Sequence, residues 1–228
     1  MKKIIISIFI ILLLPFNTYA HVDHYADINQ LKYNIYRNNN LIGTHEYNFS
    51  RKDGNLEVSS NGFLEVYLLG LKVYFLKTVS LEKFDKNGQL IEFSSQTDQN
   101  GKAKQVNLTY DQKKDLFLLD ASSNKGELDK NLLPSTWWNH KLLTLEAQFS
   151  ATSGRKIDQK VTFLGKEKIT IQNKEFDALK FNFSSTDETL PDDKKLDIDI
   201  WYEDKSFLWI KSSFQELGNW EYRLEFIN

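Results

Sequence analysis

The 228-residue sequence contains no cysteine, which excludes a disulfide framework, a thiolate metal site and a cysteine nucleophile in any compartment. Proline is scarce at 3 residues, and with 41% hydrophobic and 26% charged side chains the balance excludes collagen-like, mucin-like and disordered classes. Walker A and dinucleotide-type glycine patterns are missing, and so is the Gly-x-Ser-x-Gly elbow of a hydrolase. Phosphate chemistry and a serine triad therefore lack support. Basic excess is absent as well: 29 Lys and Arg stand against 31 Asp and Glu, which is not the electrostatic footprint of a nucleic-acid binder. No second long apolar run follows Leu14, so no permanent membrane anchor is expected.

What is present begins with a processing signal. Lys2 and Lys3 precede an apolar run from Ile4 to Leu14, and Pro15 to Ala20 end in Thr18-Tyr19-Ala20. This is the pattern of a secretory signal peptide, with an apolar helix too short to span a bilayer and small residues before the cut. Cleavage after Ala20 makes residues 1–20 a removed leader and 21–228 a single domain beginning at His21. The mature chain then carries 27 basic and 31 acidic side chains, a formal charge of −4. A Lys-Lys leader on a chain without cysteine points to a bacterial export product, periplasmic or secreted.

From Lys32 onward the apolar residues recur with a period of two. Tyr33, Ile35 and Leu41 flank the polar run Asn38-Asn39-Asn40, and further turn chemistry stands at Asp53-Gly54, Asp85 to Gly88, Asn100-Gly101, Ser153-Gly154 and Gly218-Asn219. On the order of a dozen strands spaced about ten residues apart predict an all-β antiparallel meander, forming a barrel or curved half-barrel. One stretch lacks alternation. Ser135 after Pro134 is placed to cap a short helical insert near 134–143 carrying Trp137, Trp138 and Leu142. A second anomaly is Phe63 to Leu76, nearly continuous in apolar residues, which reads as a strand greasy on both faces that lines an apolar interior.

The order of several short motifs resembles a family of bacterial exported proteins. Ile42-Gly43-Thr44-His45 follows the first hairpin, then come Val73-Tyr74, Glu82, Thr97-Asp98, Asn100-Gly101, Trp138-Asn139 and Trp201-Tyr202. In this order they are similar to the domain-of-unknown-function family 6134, over most of the mature chain. Where that family often has Trp two residues after the Glu, this chain has Phe84. The resemblance implies a β-barrel-like secreted fold and transfers no activity, ligand or catalytic residue.

The chemistry-bearing candidates are few. A mature N-terminal His21 with His24 has the donors of a copper-chelating brace, which needs a third nitrogen from His45 or His140. His45, beside Glu46, otherwise reads as a hydrogen-bonded strand residue. Asp197 and Asp199 share a strand face and could meet one hard cation, but with Ile198 and Ile200 opposite they read as the wet side of an amphipathic strand. The aromatic supply, 5 Trp, 10 Tyr and 16 Phe, suits a chain that wraps an interior. The sequence is thus read as a non-catalytic exported protein without cofactor. Its expected ligand is a lipid or another apolar small molecule, held by Phe63, Val66, Tyr67, Tyr74, Trp137 and Trp138. The alternatives are a copper module at His21 and an envelope assembly scaffold. No protein partner is legible.

Overall fold

The stretch Asn55–Leu68 shows what organises this chain: Leu56, Val58, Ser60, Gly62, Leu64 and Val66 are buried, and the residues between them face outward. A strand alternates faces residue by residue, so such a pattern puts one face on a core and the other in water. The computed structural model describes residues 25–228. Its strands are β1 (Gln30–Arg37), β2 (Asn40–Lys52), β3 (Asn55–Leu68), β4 (Leu71–Phe84), β5 (Leu90–Gln99), β6 (Lys102–Asp111) and β7 (Leu116–Ala121) in the first half. The second half holds β8 (Lys125–Asp129), β9 (Ala147–Phe149), β10 (Lys156–Ile171), β11 (Lys174–Ser185), β12 (Asp197–Glu203), β13 (Trp209–Gln215) and β14 (Asn219–Ile227). All belong to one antiparallel 14-stranded sheet.

The topology is a meander whose first and last strands meet. β1 pairs with β14 from Leu31↔Ile227 to Arg37↔Trp220, and every other ladder joins sequence neighbours. The sheet stays open between β8 and β9, its two edges, so it is barrel-like without being closed. Residues 130–146, which connect those edges, turn inward and fill the gap. Leu132, Leu133, Trp138 and Leu142 of this segment are buried in the main core, and Pro134 bridges Phe149 of β9 in parallel.

The helical element expected near 134–143 is present as a single 3-10 turn, His140–Thr144, which starts later than expected. Asn139 caps it through its side-chain oxygen, which accepts from the Lys141 N–H at 3.1 Å. Ser135 does not cap; its hydroxyl accepts from the Ala151 N–H at 3.2 Å. Both tryptophans lie outside the turn. Trp137 has φ +37°, which a helix cannot accommodate, and this kink sends Trp137 and Trp138 to different sides of the segment.

Trp138 is the centre of the filled half. It is fully buried, with its ring edge-on to Tyr25, Phe49 and Phe84 at centroid separations of 5.7, 5.3 and 5.6 Å. Its indole Nε1–H donates to Glu82 Oε1 at 2.9 Å, from the plug to the inner face of β4. Trp138→Ala is expected to lower the unfolding free energy by about 3–5 kcal/mol, read from urea denaturation followed by near-ultraviolet circular dichroism. A loss below about 1 kcal/mol would mean that the plug is not part of the cooperative core.

Candidate functional site

The plug fills only part of the interior. Toward the ends of β3, β13 and β1 the inner faces diverge around a cavity of about 560 Å³, within the range of small-molecule sites. Register explains its walls. Leu64 pairs with Leu76 and Val66 with Tyr74 across β3 and β4, so all four side chains share the inward face. The opposite wall is Ile35 of β1, Phe214 of β13, and Trp220 and Tyr222 of β14. Trp137, Thr136 and Ser135 of the plug form the floor. The hydroxyl of Tyr202 donates to the Trp137 carbonyl at 2.8 Å, and the Trp137 ring stands edge-on to Trp209 and Tyr222 at 5.6 and 6.0 Å.

Between floor and mouth runs a neutral polar belt. Ser60 and Ser80 share a hydrogen bond of 2.7 Å, and Thr78 meets Thr97 at 2.9 Å. His45 stacks on Tyr47 at 4.5 Å, leaning over Gly62, where a Cβ would lie 3.4 Å from the imidazole and 3.0 Å from Thr78. Glycine at position 62 thus makes room for the ring. His45 Nε2 has no hydrogen-bond partner, which departs from the hydrogen-bonded role read from its sequence neighbours; Glu46 is turned to the other face, where it accepts from Gln30. Burial lowers the His45 pKa from 6.5 to about 4, so the imidazole is neutral at physiological pH. Below the belt, burial raises the Glu82 carboxyl from 4.5 to about 7 against the opposing hydrogen bond of Trp138. The belt therefore presents no cation with which to pair an anionic head; Arg37, whose guanidinium donates to the Leu217 carbonyl, lines the cavity at its mouth.

The residues named from sequence are dispersed by these geometries. Phe63, Val66, Tyr74 and Trp137 line the cavity. Trp138 lies in the solid half, at the core of the plug. Phe63 and Tyr67 differ in parity from Val66 and are exposed: Phe63 meets the cavity at its rim with its ring 6.0 Å from Phe75, whereas Tyr67 is off the lining, its hydroxyl donating to Glu65 at 2.9 Å. The single strand read over Phe63 to Leu76 is two strands, folded back at Leu69-Gly70. Leu64, Leu76, Phe214, Trp220 and Tyr222 line the cavity unannounced; the parity of β3 and β4 would have found the first two. His21 and His24, like the leader, lie outside the described residues. Asp197 and Asp199 both accept from Asn182, and Asp199 pairs with Lys180 at 2.9 Å. Among the described residues no group of His, Asp and Glu is arranged to hold a metal ion, and no helix is long and apolar enough to cross a membrane.

The mouth has unusual turns. In the two-residue hairpins after β1, β2, β5 and β10 the first loop position holds Asn38, Asp53, Asn100 or Gln172, all at positive φ. After β3 the same position holds Leu69, at φ +51°, followed by Gly70. After β13 the loop holds Leu217 at φ +48°, followed by Gly218. A leucine in the left-handed region costs roughly 1–2 kcal/mol. These two are also 95% and 91% exposed.

Two buried titratable groups give stability opposite pH slopes. Glu82 holds its proton more tightly folded than unfolded, so its contribution is full below about 4.5 and is lost as pH rises through about 7. His45 holds its proton less tightly when folded, so its contribution is absent below about 4 and gained as pH rises through 6.5. Glu82→Gln is expected to gain stability relative to the parent between pH 5 and 8, by at most on the order of 3 kcal/mol. His45→Gln is expected to lose relative stability between pH 4 and 6.5. Thermal melts of both variants across this range check the two signs; parallel curves would contradict the assignment.

The model of the family described as "Domain of unknown function (DUF6134)" matches residues 33–225. Among solved structures, the chain is similar to a beta-barrel-like protein of domain of unknown function DUF1849 from Brucella abortus. That similarity has a TM-score of 0.62 at 10% identity, covering 87% of this chain and 96% of the other, and at such identity it concerns the fold alone. No curated protein matches. With its family model spanning β1 to β14, the chain belongs to the DUF6134 family of β-rich domains of unknown function.

Proposed function

We propose that this protein is an exported, periplasmic carrier that holds one lipid-like or otherwise apolar small molecule in the cavity between β3–β4 and β13–β14. The observation that carries the reading is a cavity of about 560 Å³ walled by Ile35, Leu64, Val66, Leu76, Phe214 and Trp220, next to a core cluster centred on Trp138. Apolar walls with a few polar groups are the ordinary make-up of a small-molecule site. The neutral belt of Ser60, Ser80 and Thr78 suits an uncharged polar group such as an ester, amide or hydroxyl, because a buried charge without a partner is strongly disfavoured. Export is supported by the leader-like sequence of residues 1–20.

The reading is tested with the purified chain and the fluorescent apolar probe N-phenyl-1-naphthylamine. Saturable binding with enhanced emission is expected, displaced by a long-chain fatty alcohol. Leu76→Trp, which places an indole in the cavity, is expected to weaken binding at least tenfold while leaving the thermal melt cooperative. A parent protein that does not bind the probe, or a variant that binds it equally well, would reject the proposal.

A further inference from the structure

Exposed leucines stand around the cavity mouth. Leu68, Leu69 and Leu71 crown the β3–β4 hairpin, Leu217 crowns the β13–β14 loop, and all four are exposed. Leu68 and Leu217 also line the cavity, so both crowns belong to one opening. Nothing local favours leucine here. The conformation is one that Asn, Asp and Gly adopt with little strain, as the chain's other hairpins show, and exposure of the side chain gains nothing in water. A patch of this kind marks an interaction surface.

We propose that these leucines insert into the surface of a lipid bilayer and hold the cavity mouth against the acyl chains. The inference rests on the cavity being a lipid site only for its purpose; the contact itself stands on the crowns. Three observations favour a bilayer over a protein. β3, β4, β13 and β14 are all interior strands with neighbours on both sides, so the crowns offer no free edge for a partner strand. The leucines stand on two separate hairpins with the opening between them, which suits a soft apolar medium. Directly behind them sit residues of interfacial character: Tyr67 donates to Glu65, and Lys72 pairs with Glu65 at 2.9 Å while its ammonium lies 5.2 Å from the Phe75 ring centroid. Tyrosine and lysine with apolar bodies and polar tips are suited to the headgroup level.

The charges at the mouth balance. Arg37, which donates to the Leu217 carbonyl, and Glu216 both line the cavity, and Lys72 is matched by Glu65. Insertion is therefore driven by apolar area, with little dependence on anionic lipid. Because the cavity lining continues onto the crowns through Leu68 and Leu217, an acyl chain passing from the bilayer into the cavity would have apolar side chains to follow past Arg37 and Glu216.

The test is co-sedimentation of the full mature chain with phosphatidylcholine vesicles, with and without phosphatidylglycerol. The parent is expected to partition onto both, and raising salt from 0.1 to 0.5 M is expected to change little. The double variant Leu69→Asn/Leu217→Asn is expected to lose at least tenfold in partitioning while melting no lower than the parent, since Asn suits the left-handed positions. Failure of the parent to partition, or equal partitioning by the variant, overturns the proposal. So does concentration-dependent self-association, read by size-exclusion chromatography, that the same substitutions abolish in the absence of vesicle binding. Leu76→Trp separates the two readings, because a filled cavity leaves partitioning intact while removing probe binding. Partitioning by a parent that binds no apolar probe would refute the carrier reading alone, and probe binding without partitioning would refute this one alone.

Discussion

The bond between the Trp138 indole and the Glu82 carboxyl is the contact on which the interior is organised. It is made at the bottom of an open sheet, where residues 130–146 enter through the gap between β8 and β9. With Trp138 fixed edge-on against Tyr25, Phe49 and Phe84, the preceding residue has its position determined, and Trp137 becomes the cavity floor. A plug seated elsewhere along the barrel axis would either fill the space above it or open the space below. Glu82 is an unusual anchor because its environment disfavours its charge; below about pH 7 the carboxyl keeps its proton and avoids the cost of an isolated buried anion.

The motifs that carry the family resemblance serve construction. At Gly43 a Cβ would fall 2.1 Å from the Phe63 carbonyl oxygen, so only glycine permits β2 and β3 to approach there. Asp98 accepts from the Gly101 N–H at 2.8 Å and Asn100 from the Phe75 N–H at 2.7 Å, locking the β5–β6 turn against β4. Glu82 and Trp138 meet in the plug, Asn139 caps the 3-10 turn, and Tyr202 holds the Trp137 carbonyl. Of the quoted residues, His45, Val73 and Tyr74 line the cavity. The family is therefore marked by what shapes the vessel, and the greater part of the lining comes from the aliphatic and aromatic residues between the motifs.

Much of the fold was legible because most turns use residues that tolerate positive φ. Asn38-Asn39, Asp53-Gly54 and Asn100-Gly101 each marked a real hairpin, and alternation between them assigned the strands. The reading failed at Leu69-Gly70 for the same physical reason: leucine is a poor resident of the left-handed region, so the apolar run from Phe63 to Leu76 looked like one strand instead of a hairpin. That merger also mixed parities and placed Tyr67 inside. The tryptophan pair was visible as an anomaly, but a kink at Trp137 is set by Pro134, Phe149 and the fixed seat of Trp138, which no local pattern encodes. Register across the β1–β14 seam, which brings Trp220 and Tyr222 to the cavity, depends on pairing between residues nearly the whole chain apart.

That seam has a kinetic side. Because β1 is flanked by β2 on one edge and by β14 on the other, its second row of backbone donors and acceptors waits for a partner that lies almost two hundred residues downstream. Local hairpins can form early and cheaply, whereas this one ladder closes only when the distant strand arrives, the slow kind of step in β-rich chains. Until then β1 is a bare sheet margin able to recruit the wrong strand. Once formed, the seam lies in the middle of the sheet and leaves the short β8 and β9, joined by the plug, as its edges.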